Sequence, residues 1–240
     1  MQDVNYDYMN TLERENWWYQ SKRELFNKIL TSLHRKFTSA LDIGCGVGSH
    51  LGVLQKHAAH VEGIDFSPKA IEYCKQNGWK NIALGDVCNL KLKRKFDLVL
   101  CSELLEHVDD HKAIKEIANV MKPGGIFLFS VPAHKYLWND NDYLSQHLRR
   151  YEKNELRELL SPYFEEVRMS YWNTTLFLPA FLMYKLMSLR QNREKTNNLN
   201  LVPKVLNRLL LGLMRVENRL FSVGLPQGIS VVGVGRRRKG

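Results

Sequence analysis

Five short apolar runs punctuate the first 131 residues: TSALDI (38–43), VEGID (61–65), NIAL (81–84), FDLVLC (96–101) and GIFLFSV (125–131). Each is too short for a core helix, and each is bounded by glycine, proline or a charged side chain, which is the signature of buried strands. Between them the period lengthens. In HKAIKEIANVMK, Ile114, Ile117, Ala118 and Met121 recur at the three- and four-residue spacing of an amphipathic helix, and KPGG (122–125) is expected to end it. Strands that are almost continuously apolar, alternating with helices, predict a mostly parallel sheet covered on both faces.

The last third has another rhythm. FEEVRMSYW and GISVVGVG read as two further strands, about fifty residues apart. The gap holds helical candidates around 174–190 and 203–222, joined by the polar stretch QNREKTNNLN. The pattern predicts one α/β domain with a seven-stranded sheet. Its expected divisions are N-terminal cap helices over 1–36, a core over 37–173, a helical insertion over 174–226, and a last strand with a basic tail over 227–240.

Composition changes this picture only in part. The 240 residues, 44% hydrophobic and 25% charged, suit one generous globular domain. No apolar run approaches the ~18 residues that a membrane span needs, and the polar start MQDVNYDYMNTLEREN predicts no secretory signal. Cys45, Cys74, Cys88 and Cys101 form no CxxC pair and no zinc spacing, so reduced thiols in a cytoplasmic setting are expected. The net charge of +10 points to anionic partners. Residues 168–220 carry nine Lys/Arg against two Glu, so much of the excess lies in the insertion.

The chemistry begins at LDIGCGVGSHL. Gly44, Gly46 and Gly48 follow the first strand, where glycines let the backbone turn tightly and approach a ligand. The dinucleotide fingerprint G-x-G-x-x-G fails at Ser49. Asp65 ends the second strand, placed as acidic residues that bind ribose hydroxyls are, and Asp86 follows the third. In open α/β sheets these positions gather outside the carboxyl ends of the strands, where ligands bind.

LDIGCGVG, GIDFS, GD at 85–86, FDLVLCSELLEHV and MKPGG resemble, in order and spacing, the class I S-adenosylmethionine-dependent methyltransferases, whose fold is Rossmann-like. That resemblance implies Gly44, Gly46 and Gly48 along the methionine part of the cofactor, Asp42 near its amino group, Asp65 on the ribose and Asp86 near the adenine. It also implies cofactor contacts from Phe66, Val87 and Cys101, within or beside the same motifs. The helical stretch ENWWYQSKREL resembles the segment that lids the cofactor in this family, with Trp18 and Arg23 closing over it; the alternative is that these aromatics anchor a first helix in the core.

SELLEHV, directly after the fourth strand, faces the transferred methyl in that fold. His107 has a reference pKa suited to a general base near neutral pH. Glu103, Glu106 and His107 share one face if the segment is helical, and their mixed O/N donors suit Mg²⁺, Mn²⁺ or Zn²⁺. The E-x-x-E-H pattern is similar to that of ubiquinone-pathway O-methyltransferases and small-RNA 3′-terminal 2′-O-methyltransferases. That resemblance implies a metal held by Glu103, Glu106, His107 and a later histidine, here His147, with Glu103, His107 and His147 serving catalysis. Two alternatives stay open: substrate contact without metal, and satisfaction of backbone groups at a helix start. His134 is a second candidate histidine.

VPAHKYLWNDNDYLSQHLRRY (131–151) is expected to recognise the acceptor; Arg149 and Arg150 either grip an anion or pair with nearby aspartates. The leading expectation is O-methylation of a small hydroxylated acceptor such as a sugar, a quinol or a lipid-linked intermediate. RNA ribose methylation is the alternative enzyme, although no separate RNA-binding module stands out and nucleic acid is the less favoured partner. A non-catalytic scaffold that binds a membrane or partner is a third reading, against which the glycine loop, Asp65 and Asp86 speak. The apolar-then-basic insertion suits either an interfacial helix on an anionic membrane surface or packing within the fold. The sequence leaves oligomeric state open.

Overall fold

The computed structural model describes residues 6–188 and 201–239; the linker at 191–200 lies outside them. Seven strands form one sheet: β1 (Phe37–Ile43), β2 (Ala58–Asp65), β3 (Ile82–Leu84), β4 (Phe96–Ser102), β5 (Met121–Pro132), β6 (Phe164–Trp172) and β7 (Ser230–Arg237). Their order is β3-β2-β1-β4-β5-β7-β6. β3 through β5 are parallel, and β7 runs antiparallel to both β5 and β6. The chain steps outward from β1 to β2 and β3, then returns to lay β4 on the other side of β1. Above β1 and β4 the direction of winding reverses, which opens a crevice at the carboxyl edge.

Two apolar layers sandwich the sheet. On one face α5 (Asp110–Asn119) and α7 (Lys153–Leu160) bury Ile114, Ile117, Leu156 and Leu159 against Val99, Phe127 and Phe129. On the other face α2 (Trp17–Ser32), α3 (Leu51–Gln55) and α9 (Lys204–Leu220) bury Phe26, Ile29, Leu54 and Met214 against Leu98, Leu100 and Leu128. Leu98, Val99, Leu100 and Cys101 are all fully buried because consecutive strand residues point to opposite, equally dry faces. α1 (Tyr6–Glu15), α4 (Pro68–Gln76), α6 (Asp140–Leu144) and α8 (Phe177–Ser188) complete the described helices.

Boundaries differ from the pattern in one informative place. α5 ends at Asn119, and Met121 already pairs with Phe96, so MKPGG opens β5 through a register shift instead of ending the helix. The apolar period continued to Met121 because that residue enters the same core as Ile117. α9 packs on α2 through Asn218, which accepts from Trp172 Nε1 (2.9 Å) and donates to Ser21 O (2.9 Å).

Candidate active site

The crevice above β1 and β4 is built from the turn after each strand. Gly44, Gly46 and Gly48 all take positive φ (72°, 54° and 91°). They differ in use. A Cβ on Gly44 would lie 3.0 Å from Leu104, and one on Gly48 would lie 2.8 Å from Cys74 Sγ and from Trp79, so Gly48 serves close packing of α4. Gly46 alone of the three opens toward the cap, where only Glu13 Oε1 comes within 4 Å of an added Cβ.

Asp65 accepts from Gly46 N (2.9 Å) and Ser67 N (2.8 Å), which ties the end of β2 to the loop. Asp42 is buried, and its Oδ2 has no hydrogen-bond partner. Burial holds its carboxyl well above the usual range, reinforced by Asp65 and Glu13. Asp97, at the other end of the sheet, shows the contrast: buried too, it accepts from the N–H groups of Thr38 (2.8 Å) and Ser39 (2.7 Å). A satisfied carboxylate is structural; an unsatisfied one next to two more acids is waiting for a cation. Asp42, Asp65 and Glu13 therefore fit a ligand that carries an ammonium and hydroxyl groups. Asp86 is exposed and accepts from Cys88 N (2.8 Å), Phe66 is 67% exposed beyond β2, and Val87 is buried. Cys101 is fully buried at the end of β4.

The cap closes differently from the expectation. Arg23 holds the carbonyls of Glu13 (2.5 Å) and Arg14 (3.3 Å), fastening α1 to α2. Trp18 packs 5.8 Å from Trp172 and receives the Lys22 ammonium 3.5 Å from its ring centroid. Both expected lid residues thus brace the cap, while Glu13 lies over the glycine loop. Burial pushes Glu13 up to about 7, although Ser49 and Arg23 oppose the shift. Tyr6 donates to Ser67 Oγ (2.6 Å), pinning α1 to the start of α4.

At the β4 end, SELLEHV is not an α-helix. Glu103 has φ +52° and Leu105–His107 form a single 3-10 turn, so the shared helical face expected for Glu103, Glu106 and His107 does not exist. Glu103 accepts from Lys22 Nζ (2.6 Å) and Ser130 Oγ (2.7 Å). Burial raises its carboxyl, but the Lys22 charge and these two hydrogen bonds outweigh that and leave it below the usual value. Glu103 is therefore outside the candidate metal cluster, a correction to the four-ligand expectation.

The other three do converge. One ligand atom each from Glu106, His107 and His147 lie within 4.8 Å of one another. Glu106 is fully buried and neither carboxylate oxygen has a partner. Burial, then the Glu103 charge, raise its carboxyl well above the usual range. His107 is lowered to about 4 by burial and by the neighbouring His147. His147 Nδ1 meets Asp142 Oδ1 at 2.7 Å, which leaves Nε2 as the outward nitrogen. Asp142 is gripped in turn by the Arg150 fork (2.8 and 2.9 Å), and Arg149 pairs with Asp110 at 2.5 Å. The arginine pair thus serves aspartates, one of its two expected uses. An N/O donor set around an unsatisfied carboxyl, with a hydrogen-bonded carboxylate behind one histidine, fits a divalent cation.

Sequence reasoning passed over Glu13 and Lys22. Lys22 left a signal: it occupies the buried stripe of α2 with Leu25, Phe26 and Ile29, where a lysine has no reason to sit without a buried acid. His134 is held elsewhere, its Nδ1 3.1 Å from both Glu152 oxygens and its ring stacked between Tyr136 and Tyr171.

This fold is the one shared by S-adenosylmethionine-dependent methyltransferases of known structure. Residues 41–129 match a family described as methyltransferase domain. The N-methyltransferase NodS of Bradyrhizobium japonicum, solved with S-adenosyl-L-homocysteine, shares the fold at a TM-score of 0.59 and 15% identity, over 96% of this chain and 98% of its own. An S-adenosylmethionine-dependent methyltransferase of Clostridium acetobutylicum does so at 0.58 and 15%, over 92% of each chain. Among curated proteins, a ubiquinone biosynthesis O-methyltransferase of Coxiella burnetii is 34% identical over 132 residues, 48% of this chain and 56% of the relative. Norajmaline N-methyltransferase of Rauvolfia serpentina is 35% identical over 123 residues, 47% and 42% of the two chains. The chain thus spans about half the length of the curated relatives it matches.

Proposed function

We propose that this chain transfers a methyl group from S-adenosylmethionine to a hydroxyl oxygen of a small acceptor, with a divalent cation held by Glu106, His107 and His147. The observation that carries this reading is Glu106: a fully buried carboxyl with both oxygens unsatisfied, beside two imidazoles, at the acceptor end of the crevice. The similarity to a ubiquinone biosynthesis O-methyltransferase supports oxygen as the acceptor atom, and a sugar, quinol or lipid-linked hydroxyl fits it.

S-adenosylmethionine supplies, when bound, an electrophilic methyl on a sulfonium and leaves as a neutral thioether. Asp42 and Asp65 hold the ammonium and ribose hydroxyls, and Gly46 lets that ligand approach the backbone. Glu13 and the α1 cap exclude water above it. A divalent cation on the Glu106 cluster would lower the pKa of an adjoining hydroxyl and fix its direction. Glu103, kept charged by Lys22, has no proton to donate. His107, neutral because burial lowers its pKa, keeps a lone pair for ligation or for the acceptor proton.

Metal analysis of the purified protein, together with transfer of labelled methyl to a panel of phenols, catechols and sugars with and without chelator, tests the reading. Activity restored by Mg²⁺, Mn²⁺ or Zn²⁺ after chelation, and lost in Glu106→Gln and His147→Ala, is expected. Full activity in chelator refutes the cation; no binding of S-adenosylhomocysteine refutes the whole assignment.

A further inference from the structure

The insertion between β6 and β7 presents apolar rows that no other described residue covers. α9 buries Leu211, Met214 and Asn218 toward α2. On another side Val205, Leu209, Leu213, Val216 and Leu220 recur every three or four residues and are 39–70% exposed. One position before four of these stand Lys204, Arg208, Arg215 and Arg219, all exposed, so a cationic row lies about 100° round the helix, directly beside the apolar one. Arg215 is engaged by Glu24 at 2.6 Å; the other three lie toward the ends of the row.

α8 adds a second row. Its half-buried side carries Phe177, which stacks with Phe181 (6.3 Å) and meets His134 edge-on (5.8 Å), and Tyr184, which lies near Arg150 and Asp142. Its other side exposes Leu178, Leu182 and Leu186 at four-residue intervals, 51–65% accessible. A helix apolar on all sides belongs in a core or against lipid, and this one is in no core.

We infer that α8 and α9 seat this chain on an anionic membrane surface. The aliphatic rows enter the boundary of the acyl chains, and Lys204, Arg208 and Arg219 lie among the headgroups. Charge selects lipid over a second copy of the chain: Glu217, the single acidic residue of α9, is buried on Thr174 N (3.0 Å) and Thr175 N (2.9 Å), so α9 offers nothing to balance a partner's cations. The docking stands apart from the methyl-transfer reading and is measured without it.

Vesicle flotation of the full chain is the test, with phosphatidylcholine alone and with phosphatidylcholine plus phosphatidylglycerol. Co-flotation with the anionic vesicles is expected, weakened at ~0.5 M salt, where exposed charges are screened within a few ångströms. Lys204→Gln with Arg208→Gln should reduce partitioning by on the order of twenty-five-fold, at roughly fivefold for each cation near an anionic leaflet. Leu209→Asp with Val216→Asp should abolish it while the circular dichroism spectrum and melting curve stay unchanged, since both side chains are exposed. Absence of co-flotation at low salt overturns the inference. So does a dimer in sedimentation velocity that Leu209→Asp dissociates and that binds no vesicle.

Discussion

Lys22→Met removes the cation that holds Glu103 and leaves the methylene stem in place. The ammonium is fully buried, 2.6 Å from Glu103 Oε1, 3.3 Å from Ser130 Oγ and 3.5 Å from the Trp18 ring centroid. Breaking a buried ion pair destabilises by roughly 3–5 kcal/mol, because the remaining charge is left unpaired in a dry place. Glu103 keeps 24% of its side chain accessible, and burial already holds Lys22 below its ordinary pKa, so the low end applies, about 3 kcal/mol. For a chain of this length that is roughly 6–12 °C in melting temperature. The sign with pH follows. In the wild type Glu103 is lowered below 4.5 in the folded state, so its contribution is present above the unfolded pKa and is lost as pH falls through the folded one. In Lys22→Met the same carboxyl is desolvated without a cation and its pKa rises. The variant's deficit should therefore shrink as pH drops from neutral toward 5. Urea denaturation followed by circular dichroism across that range reads both effects. Lys22→Met/Glu103→Gln should regain most of the loss, because no charge is stranded. A deficit under about 1 kcal/mol at neutral pH, or one that Glu103→Gln fails to relieve, refutes the reasoning.

Glu106 behaves oppositely: its folded pKa is raised, so its cost is absent below the unfolded pKa of 4.5 and grows as pH rises through the folded one. In chelator, Glu106→Gln should be more stable than wild type at pH 7 by about 1–2 kcal/mol in thermal or urea melts, and purified without chelator it should carry no metal on this cluster. Asp42→Asn should weaken S-adenosylhomocysteine binding by roughly 10–100-fold in calorimetry, the range for a hydrogen bond to a charged group. Gly48→Ala forces a Cβ to 2.8 Å from Cys74 and Trp79 at φ +91°, and should cost about 2–4 kcal/mol in urea denaturation. Asp142→Asn removes the carboxylate behind His147 and should lower metal affinity by roughly 10–100-fold, read by chelator competition.

The apolar runs were enough to place strands, because a strand buried on both faces is apolar along most of its length, as Leu98–Cys101 of β4 and Ile126–Phe129 of β5 are. Five runs with helices between them also imposed parallel pairing, and the turns after β1 and β2 had to carry Gly44 and Asp65 to one edge. Distance in the chain hid the rest. Lys22 and Glu103 are 81 residues apart, and nothing local to either announces the other. Glu103 looked like a ligand beside Glu106 and His107 because it lies three residues away, but at positive φ its carboxylate is taken by Lys22 and Ser130. Glu13 reached the glycine loop only because Arg23 folds α1 back over α2. Local periodicity determined the elements and their layers, since burial of a helix or strand face is a local property of side-chain order. Which carboxyls would be neutralised and which left unsatisfied was decided by tertiary contact, since desolvation depends on what packs against a group from elsewhere in the chain.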